Sequence, residues 1–98
     1  MKLIPSPFVW FNGELVPWDK AQVHVLTHAL HYGSAVFEGI RAYSTRNGTA
    51  VFALKEHVER LFHSCKIVGM PLRWTQEQVA TGIRDTVRAN KLEACYIR

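Results

Sequence analysis

The chain is 98 residues long, enough for one small domain. Its composition, 48% hydrophobic and 20% charged, is that of a globular protein and excludes a disordered or membrane-embedded chain. The formal net charge is +4, but the basic residues are scattered among acids, which argues against nucleic-acid binding. Three Trp, three Tyr and five Phe are more aromatic bulk than one domain of this size hides, which indicates a missing neighbour or a dimer.

Several features predict a cytoplasmic protein. The N-terminal stretch MKLIPSPF carries prolines where a signal peptide has its apolar core. No apolar run is long enough to span a membrane. Cys65 and Cys95 lack CxxC spacing and lie on apolar faces, which is typical of buried free thiols in a reducing compartment.

A β-hairpin opens the chain. Two short runs, 9–11 and 14–16, flank the pair Asn12-Gly13. This pair is typical of a type I′ turn, in which both central residues need positive φ. Pro17 offers no amide donor and ends the second strand.

A strand and a helical turn follow. The apolar residues 23–26 predict a short strand. Thr27 can cap a brief helical turn that runs through Leu30, and Gly33 then stops that turn.

Residues 35–54 predict a second hairpin. Its strands are 35–43 and 50–54, joined by the polar loop 44–49. Side chains alternate across a strand, so the first strand has two faces. One face carries Phe37, Gly39, Arg41 and Tyr43, and the other carries Val36, Glu38, Ile40 and Ala42.

Two helices follow. Residues 55–69 have one apolar stripe, formed by Val58, Leu61, Phe62, Cys65 and Val68. Gly69 is a natural C-terminal stop, and Pro71 forbids continuation. Thr75 and Gln78 fit a capping box for a second helix, which runs to about Asn90.

Residues 94–97 predict a last strand. The element order predicts an α+β fold, with a small mixed or antiparallel sheet and two helices packed on it. Because the strand pattern stops abruptly at Arg98, we expect residues 1–98 to be the first domain of a longer protein.

His24, His28 and His31 are spaced by four and three residues, so a metal site has to be weighed. Such a site would need one helix through all three, whereas residues 23–26 read as extended. No HExxH motif is present. We therefore expect these side chains to hydrogen-bond the backbone at a crowded turn, and we predict no metal site.

Arg60 lies beside the apolar stripe of the first long helix. It is either a solvated helix charge with a buried stem or an anion ligand. A guanidinium suits the second role, because it presents a fork of donors that matches phosphate or carboxylate.

Arg41 and Arg98 lie on predicted strand faces beside aromatic residues, and Arg98 follows Tyr96 by two positions. An arginine on such a face needs a partner. For Arg41 that partner is Glu38, Glu59 or a substrate carboxylate. Arg98 likewise needs a partner on its strand face.

No catalytic group stands out. The sequence holds no Ser/His/Asp or Cys/His assembly and no phosphate loop of the GxxxxGKS type. The lysines all sit in polar or exposed contexts rather than the apolar surroundings of a desolvated, nucleophilic lysine.

At four ordered segments the chain resembles bacterial branched-chain amino acid aminotransferase, a fold-type IV enzyme that uses pyridoxal 5'-phosphate (PLP). These segments are WFNGELVPW, VHVLTHALHYGSAVFEGIRAY, EHVERL and ACYIR. The resemblance covers essentially the whole chain but only the small N-terminal domain of the family's two. The family's catalytic lysine lies on the second domain, beyond Arg98, so the resemblance implies that this chain alone is inactive.

The resemblance also implies roles for single residues. Arg60 matches the family's arginine that binds the cofactor phosphate. Tyr32 matches a tyrosine that closes the pocket of the other subunit of a dimer. The positions that match the substrate pocket are Phe37, Gly39, Arg41, Tyr96 and Arg98. Arg98 suits the side-chain carboxylate of glutamate, while leucine-like chains need the apolar walls.

The function that follows is amino-group transfer between leucine, isoleucine or valine and 2-oxoglutarate, by a homo-oligomer. Two other fold-type IV enzymes, D-amino acid aminotransferase and aminodeoxychorismate lyase, are the near alternatives. A non-catalytic binding module that reuses the small-domain fold is a further one. The sequence does not set the preferred amino acid or the oligomer size.

Overall fold

The computed structural model describes residues 3–98. The first two residues lie outside the described residues. They belong to the stretch MKLIPSPF, which was predicted not to be a signal peptide. The elements, in chain order, are β1 (Phe8–Phe11), β2 (Glu14–Pro17), a 3-10 helix (Trp18–Lys20), α1 (His28–Tyr32), β3 (Ile40–Thr45), β4 (Gly48–Val51), α2 (Leu54–Ile67), α3 (Gln76–Ala89) and β5 (Cys95–Ile97).

The strands form two antiparallel sheets. β1 pairs with β2, and β3 lies between β4 and β5 in a three-stranded sheet. The α+β prediction is therefore confirmed, and of the two sheet types it allowed, the antiparallel one is observed. The strands divide into two sheets instead of one. The brief helical turn predicted before Gly33 is observed as α1, but Thr27 does not cap it, since its hydroxyl donates to the His24 carbonyl (2.6 Å).

Both hairpins have two-residue turns. Asn12 and Gly13 have φ of 51° and 92°, which confirms the positive φ expected at both positions. The second turn consists of Arg46 and Asn47, because the register pairs Thr45 with Gly48. The longer loop predicted for 44–49 is wrong, since its outer residues extend the two strands.

Three predicted strand segments are wrong. Residues 52–54, predicted as the end of the second hairpin, form a turn and the first residue of α2. Residues 23–26 form a turn in which the Leu26 amide donates to Nδ1 of His24 (3.0 Å) and the Thr27 amide donates to the His24 carbonyl (2.9 Å). These local bonds take the backbone groups that a strand would need for pairing. Residues 35–39 have no regular structure, because β5 pairs only with residues 40–42 of β3.

The capping residues predicted for the two long helices are observed, at the start of α3 and after the end of α2. Thr75 and Gln78 form the capping box, with the Gln78 amide donating to Thr75 Oγ1 (3.1 Å) and the Thr75 amide to Gln78 Oε1 (2.9 Å). After α2, Gly69 adopts a φ of 69° and the Met70 amide donates to the Cys65 carbonyl (2.8 Å). Within residues 3–98, none of the helices is long and apolar enough to cross a membrane.

The core lies between α2, α3 and the first hairpin. Its buried centre is Leu54, Val58 and Val79, against which the Trp10 and Trp74 side chains pack. The two indole rings meet edge to face, with centroids 5.7 Å apart. α3 approaches this hairpin closely at Gly82, where an added Cβ would lie 2.6 Å from a ring carbon of Trp10.

Both cysteines are free thiols, as predicted. Cys65 is buried, whereas Cys95 is half-buried. Burial raises the pKa of both thiols, so both are protonated and weakly reactive at neutral pH.

Asn90 joins the end of α3 to the first strand. Its Oδ1 accepts from the Phe8 amide (2.8 Å), and its Nδ2 donates to the Phe8 carbonyl (3.0 Å) and to the Thr86 carbonyl (2.8 Å). The side chain is buried, so these polar groups have no water to replace a lost partner.

Replacing Asn90 by Ala is expected to lower the free energy of unfolding by about 1–3 kcal/mol, because two backbone groups of Phe8 lose their partner. A urea titration followed by tryptophan fluorescence measures the loss. Asn47→Ala, in the exposed turn, is the matched control and is expected to stay within about 0.5 kcal/mol. Equal effects of the two substitutions would contradict the role given to Asn90.

Candidate functional site

The segment between α1 and β3 holds the candidate site. Residues 33–39 have no regular secondary structure. Three consecutive residues at its end, Phe37, Glu38 and Gly39, each contact a polar side chain from another element. We refer to these three as the anchor tripeptide.

Glu38 binds two side chains of α2. Its carboxylate accepts from Arg60 through Nε (2.9 Å to Oε2) and Nη2 (2.7 Å to Oε1), a two-point pairing. Oε1 also lies 2.7 Å from Nδ1 of His57. The carboxylate therefore ties the anchor tripeptide to one face of α2.

The Glu38 side chain is only 8% exposed, so its charge has to be compensated by the protein. Hydrogen bonds from Arg60 and, next, from His57 lower the pKa of its carboxyl to about 2. The same contact raises the pKa of Arg60. An ionised carboxylate only accepts hydrogen bonds, so Nδ1 of His57 carries the proton.

Of the two alternatives for Arg60, the structure favours an anion ligand over a free solvated charge, because its guanidinium binds the Glu38 carboxylate. Its side chain is 66% exposed, but its head is held by Glu38. The pairing uses Nε and Nη2, and Nη1 takes no part in it. The guanidinium is thus oriented from one side and keeps donors available on the other.

Phe37 lies beside a cluster of arginines and a tyrosine. The Arg98 guanidinium lies 4.6 Å from the Phe37 ring centroid and 6.0 Å from that of Tyr96. The Arg41 guanidinium lies 5.6 Å from the Tyr96 ring. Such distances are those of cation–π contacts. We call Phe37, Arg41, Tyr96 and Arg98 the arginine–aromatic cluster.

The sheet register builds this cluster. Arg41 of β3 pairs directly with Tyr96 of β5. The partners that the sequence suggested for Arg41 within the chain, Glu38 and Glu59, are wrong. Glu38 is bound to α2, and the nearest cation to Glu59 is Lys55, 4.0 Å away. Arg41 stacks on an aromatic ring instead, so its donors remain available to a ligand anion.

Gly39 allows Tyr96 to approach the backbone. A Cβ at this position would overlap the Tyr96 hydroxyl and lie 3.1 Å from Cζ. Any larger residue would therefore displace the tyrosine ring from the cluster. Gly39 and the four residues of the arginine–aromatic cluster, which are the five positions matched to the substrate pocket, thus come together in the structure.

Tyr32 lies outside the arginine–aromatic cluster. Its ring packs on the imidazoles of His28 and His31, with centroids 4.5 and 6.5 Å apart, and the residue is 76% exposed. Within this chain it does not complete the pocket.

Two of the three histidines of this region hydrogen-bond the backbone, as predicted. Nδ1 of His24 accepts from the Leu26 amide, and Nε2 of His31 lies 2.8 Å from the Val25 carbonyl. His28 instead pairs with the Ser34 hydroxyl. In the part of the chain that the structure describes, no group of three or more His, Cys, Asp or Glu is placed to hold a metal ion.

An exposed apolar surface surrounds α1. Its side chains are 58–76% exposed: Val23, Val25, Leu26, Leu30, Tyr32 and Phe37. Their number and closeness in the chain are typical of a surface that a partner covers.

Glu38 and His57 were not predicted as site residues. One signal was available, because Glu38 fell on an apolar strand face where a carboxylate needs a cation. His57 and Arg60 also stand three residues apart on a helix, a spacing that places both on one face. The sequence does not show that the segment of Glu38 and the helix of His57 and Arg60 lie close together.

These features define a class of protein: an α+β domain with oriented guanidinium groups beside aromatic rings, a surface suited to small anionic ligands. The profile of the family amino-transferase class IV matches residues 35–98, and the chain belongs to this family.

Relatives with assigned activities resemble nearly the whole chain. The branched-chain-amino-acid aminotransferase of Pseudomonas aeruginosa is 50% identical over 90 residues, which are 92% of this chain and 29% of that protein. The enzyme of the same name from Escherichia coli strain K12 is 47% identical over 93 residues, 95% of this chain and 30% of the relative. The chain thus spans about 30% of the length of the relatives it matches.

A solved structure agrees with the fold. The crystal structure of the Escherichia coli branched-chain amino acid aminotransferase has a TM-score of 0.90 and 45% identity. The match covers 93% of this chain and 30% of that one. A second enzyme of this name, 46% identical to this chain with a TM-score of 0.93, has been solved with pyridoxamine 5'-phosphate and with N-(5'-phosphopyridoxyl)-L-glutamate.

The Glu38 network predicts a pH-dependent contribution to stability. The carboxyl pKa falls from an ordinary value of 4.5 to about 2 in the folded protein. Because the folded-state pKa is depressed, the contribution is complete above the unfolded-state value and is lost as pH falls from 4.5 towards 2.

We expect Glu38→Gln to lower the melting temperature above about pH 5 and to have a progressively smaller effect towards pH 2. Thermal melts across this pH range measure it. Glu59→Gln, a half-exposed glutamate on α2, is the control and should show little pH dependence. A Glu38→Gln effect that is constant over the whole range would rule out the ionised pair as its source.

Proposed function

We propose that this chain is the small N-terminal domain of a branched-chain amino acid aminotransferase. The activity is amino-group transfer between leucine, isoleucine or valine and 2-oxoglutarate, with PLP as cofactor. The observation that carries the proposal is the 50% identity, over 92% of this chain, to an enzyme of that name. The arginine–aromatic cluster supports it, because the reaction needs a pocket with apolar walls and a cation.

The residues present fit a phosphorylated cofactor. Glu38 holds one side of the Arg60 guanidinium and leaves Nη1 out of the pairing, so an exposed, oriented fork of donors is available for a phosphate. We assign the phosphate to Arg60. When bound, PLP serves as the electron sink for proton removal at the substrate α-carbon.

The cluster fits the two kinds of substrate. Phe37 and Tyr96 provide apolar walls for a branched aliphatic side chain. Arg98 lies over Phe37 and Tyr96, so it can bind the side-chain carboxylate of glutamate or turn away when an aliphatic chain is bound. Gly39 leaves the space in which Tyr96 lies, and Arg41 adds a second cation at the same wall.

The remaining parts of the enzyme are proposed to lie in a second domain, in the portion of the relatives that this chain does not span. That domain would supply the lysine that binds the cofactor covalently. We also propose a homodimer, in which the exposed surface around α1 is covered and Tyr32 reaches the pocket of the other subunit. The unpaired thiols fit a reducing compartment, and we propose the cytoplasm.

Reduction with borohydride tests the proposal. The natural gene product is incubated with PLP, reduced, and mapped by mass spectrometry. One modified lysine beyond Arg98, together with amino transfer from leucine to 2-oxoglutarate, is the expected result. A product without an adduct would leave a non-catalytic module and defeat the proposal.

Arg98→Ala in the full-length protein is expected to lower kcat/KM for glutamate more than for leucine, by roughly 10-fold or more, because only glutamate brings a side-chain carboxylate to the cation. Steady-state kinetics with each amino donor measures the ratio. Arg46→Ala, an exposed arginine in the β3–β4 turn, is the control and should change neither. Equal losses for both donors would count against this role of Arg98.

Arg60→Ala is expected to weaken PLP binding, because the phosphate loses its oriented donors. Equilibrium titration of the apoprotein measures the dissociation constant. Unchanged affinity would mean that the phosphate is bound elsewhere.

A further inference from the structure

We propose that Glu38 and His57 are positioning residues for the cofactor phosphate, acting through Arg60. They hold the guanidinium in one orientation, so that its remaining donors point to one place. This inference rests on the proposed function, because it assumes that Arg60 binds the phosphate. It adds two residues to the site that do not themselves touch the cofactor.

The need for positioning follows from the exposure of Arg60. Its side chain is 66% exposed, so packing alone does not select a single rotamer. A free arginine would lose substantial side-chain entropy on binding a phosphate. The side-on pairing through Nε and Nη2 to Glu38 fixes the plane of the guanidinium before any ligand arrives.

His57 in turn fixes the carboxylate. Its Nδ1 lies 2.7 Å from Oε1, the oxygen that also accepts from Arg60 Nη2 at 2.7 Å. His57 and Arg60 both project from α2, whereas Glu38 comes from the segment before β3. Removal of the imidazole would free the carboxylate to rotate about its last bond and release the two-point pairing.

Charge and orientation have opposite effects at this site. The negative carboxylate weakens the attraction of Arg60 for an anion, while the pairing orients the donors. If orientation dominates, Glu38→Gln lowers PLP affinity, because an amide has one acceptor oxygen and cannot form the pairing in which Nε and Nη2 each donate to a different oxygen. If charge dominates, the same substitution raises PLP affinity, and our inference is wrong.

The main test compares three variants of the full-length protein: His57→Leu, His57→Asn and His63→Leu. Asn carries an amide nitrogen near the position of Nδ1 and can still donate to Glu38, whereas Leu cannot. His63 is an exposed histidine on the same helix and serves as the matched control. Dissociation constants are measured for PLP and for pyridoxal, which lacks the phosphate.

We expect His57→Leu to weaken PLP binding by about 10-fold, an effect similar to that of losing a residue that orients a metal ligand. Pyridoxal binding should stay unchanged. His57→Asn should restore most of the affinity, and His63→Leu should match the wild type. If His57→Leu fails to fold, Glu38→Asp provides the test, because it keeps the charge but shortens the reach. The same selective loss of PLP affinity is then expected.

Two kinds of failure are distinguishable. If the wild type binds PLP no more tightly than pyridoxal, or Arg60→Ala has no effect, the assignment of the phosphate to Arg60 fails. If Arg60→Ala weakens PLP binding but His57→Leu does not, only the positioning role is overturned. Equal loss of PLP and pyridoxal affinity in His57→Leu would likewise overturn it, since that pattern indicates a general structural defect.

Discussion

The site depends on the hydrogen bonds that compensate the charge of one nearly buried carboxylate, that of Glu38. Glu38 needs cationic or hydrogen-bonding partners because its charge is largely removed from water. Both partners come from one face of α2, and their hydrogen bonds hold the pKa of the carboxyl at about 2. An irregular segment with no strand pairing of its own is thereby attached to α2, which packs in the core through Leu54 and Val58. Loss of either partner would leave part of this charge without compensation and would therefore destabilise the fold.

The anchor tripeptide connects the Glu38 attachment to the arginine–aromatic cluster. Glu38 orients Arg60, Phe37 lies beneath Arg98, and Gly39 leaves room for Tyr96. Three neighbouring positions in the chain thus determine where two guanidinium groups and a phenol lie. The two long helices and the β3–β5 pair hold these partners in place, because α2 packs through Leu54 and Val58 and β5 pairs with β3.

The exposed surface of the chain is consistent with the proposal that it is one domain of a larger enzyme. The chain spans about 30% of the relatives it matches, and its apolar side chains around α1 are left uncovered. Tyr32 is among them and does not reach the arginine–aromatic cluster of its own chain. The fold presents a surface of cations and aromatic rings, which we propose forms one wall of the substrate pocket.

The sequence by itself determined the features that depend on neighbouring residues. The Asn12-Gly13 turn, the apolar stripe of α2 and the Thr75–Gln78 capping box involve residues only a few positions apart, so local chemistry specifies them. The resemblance named Arg60 and the cluster residues, but the sequence did not reveal what holds them. The pairing of Glu38 with residues 19 and 22 positions away, and the late start of β3 at Ile40, where its pairing with β5 begins, depend on how distant segments meet. Tertiary structure alone decided them, because the partner of a buried charge or a strand is set by proximity in space.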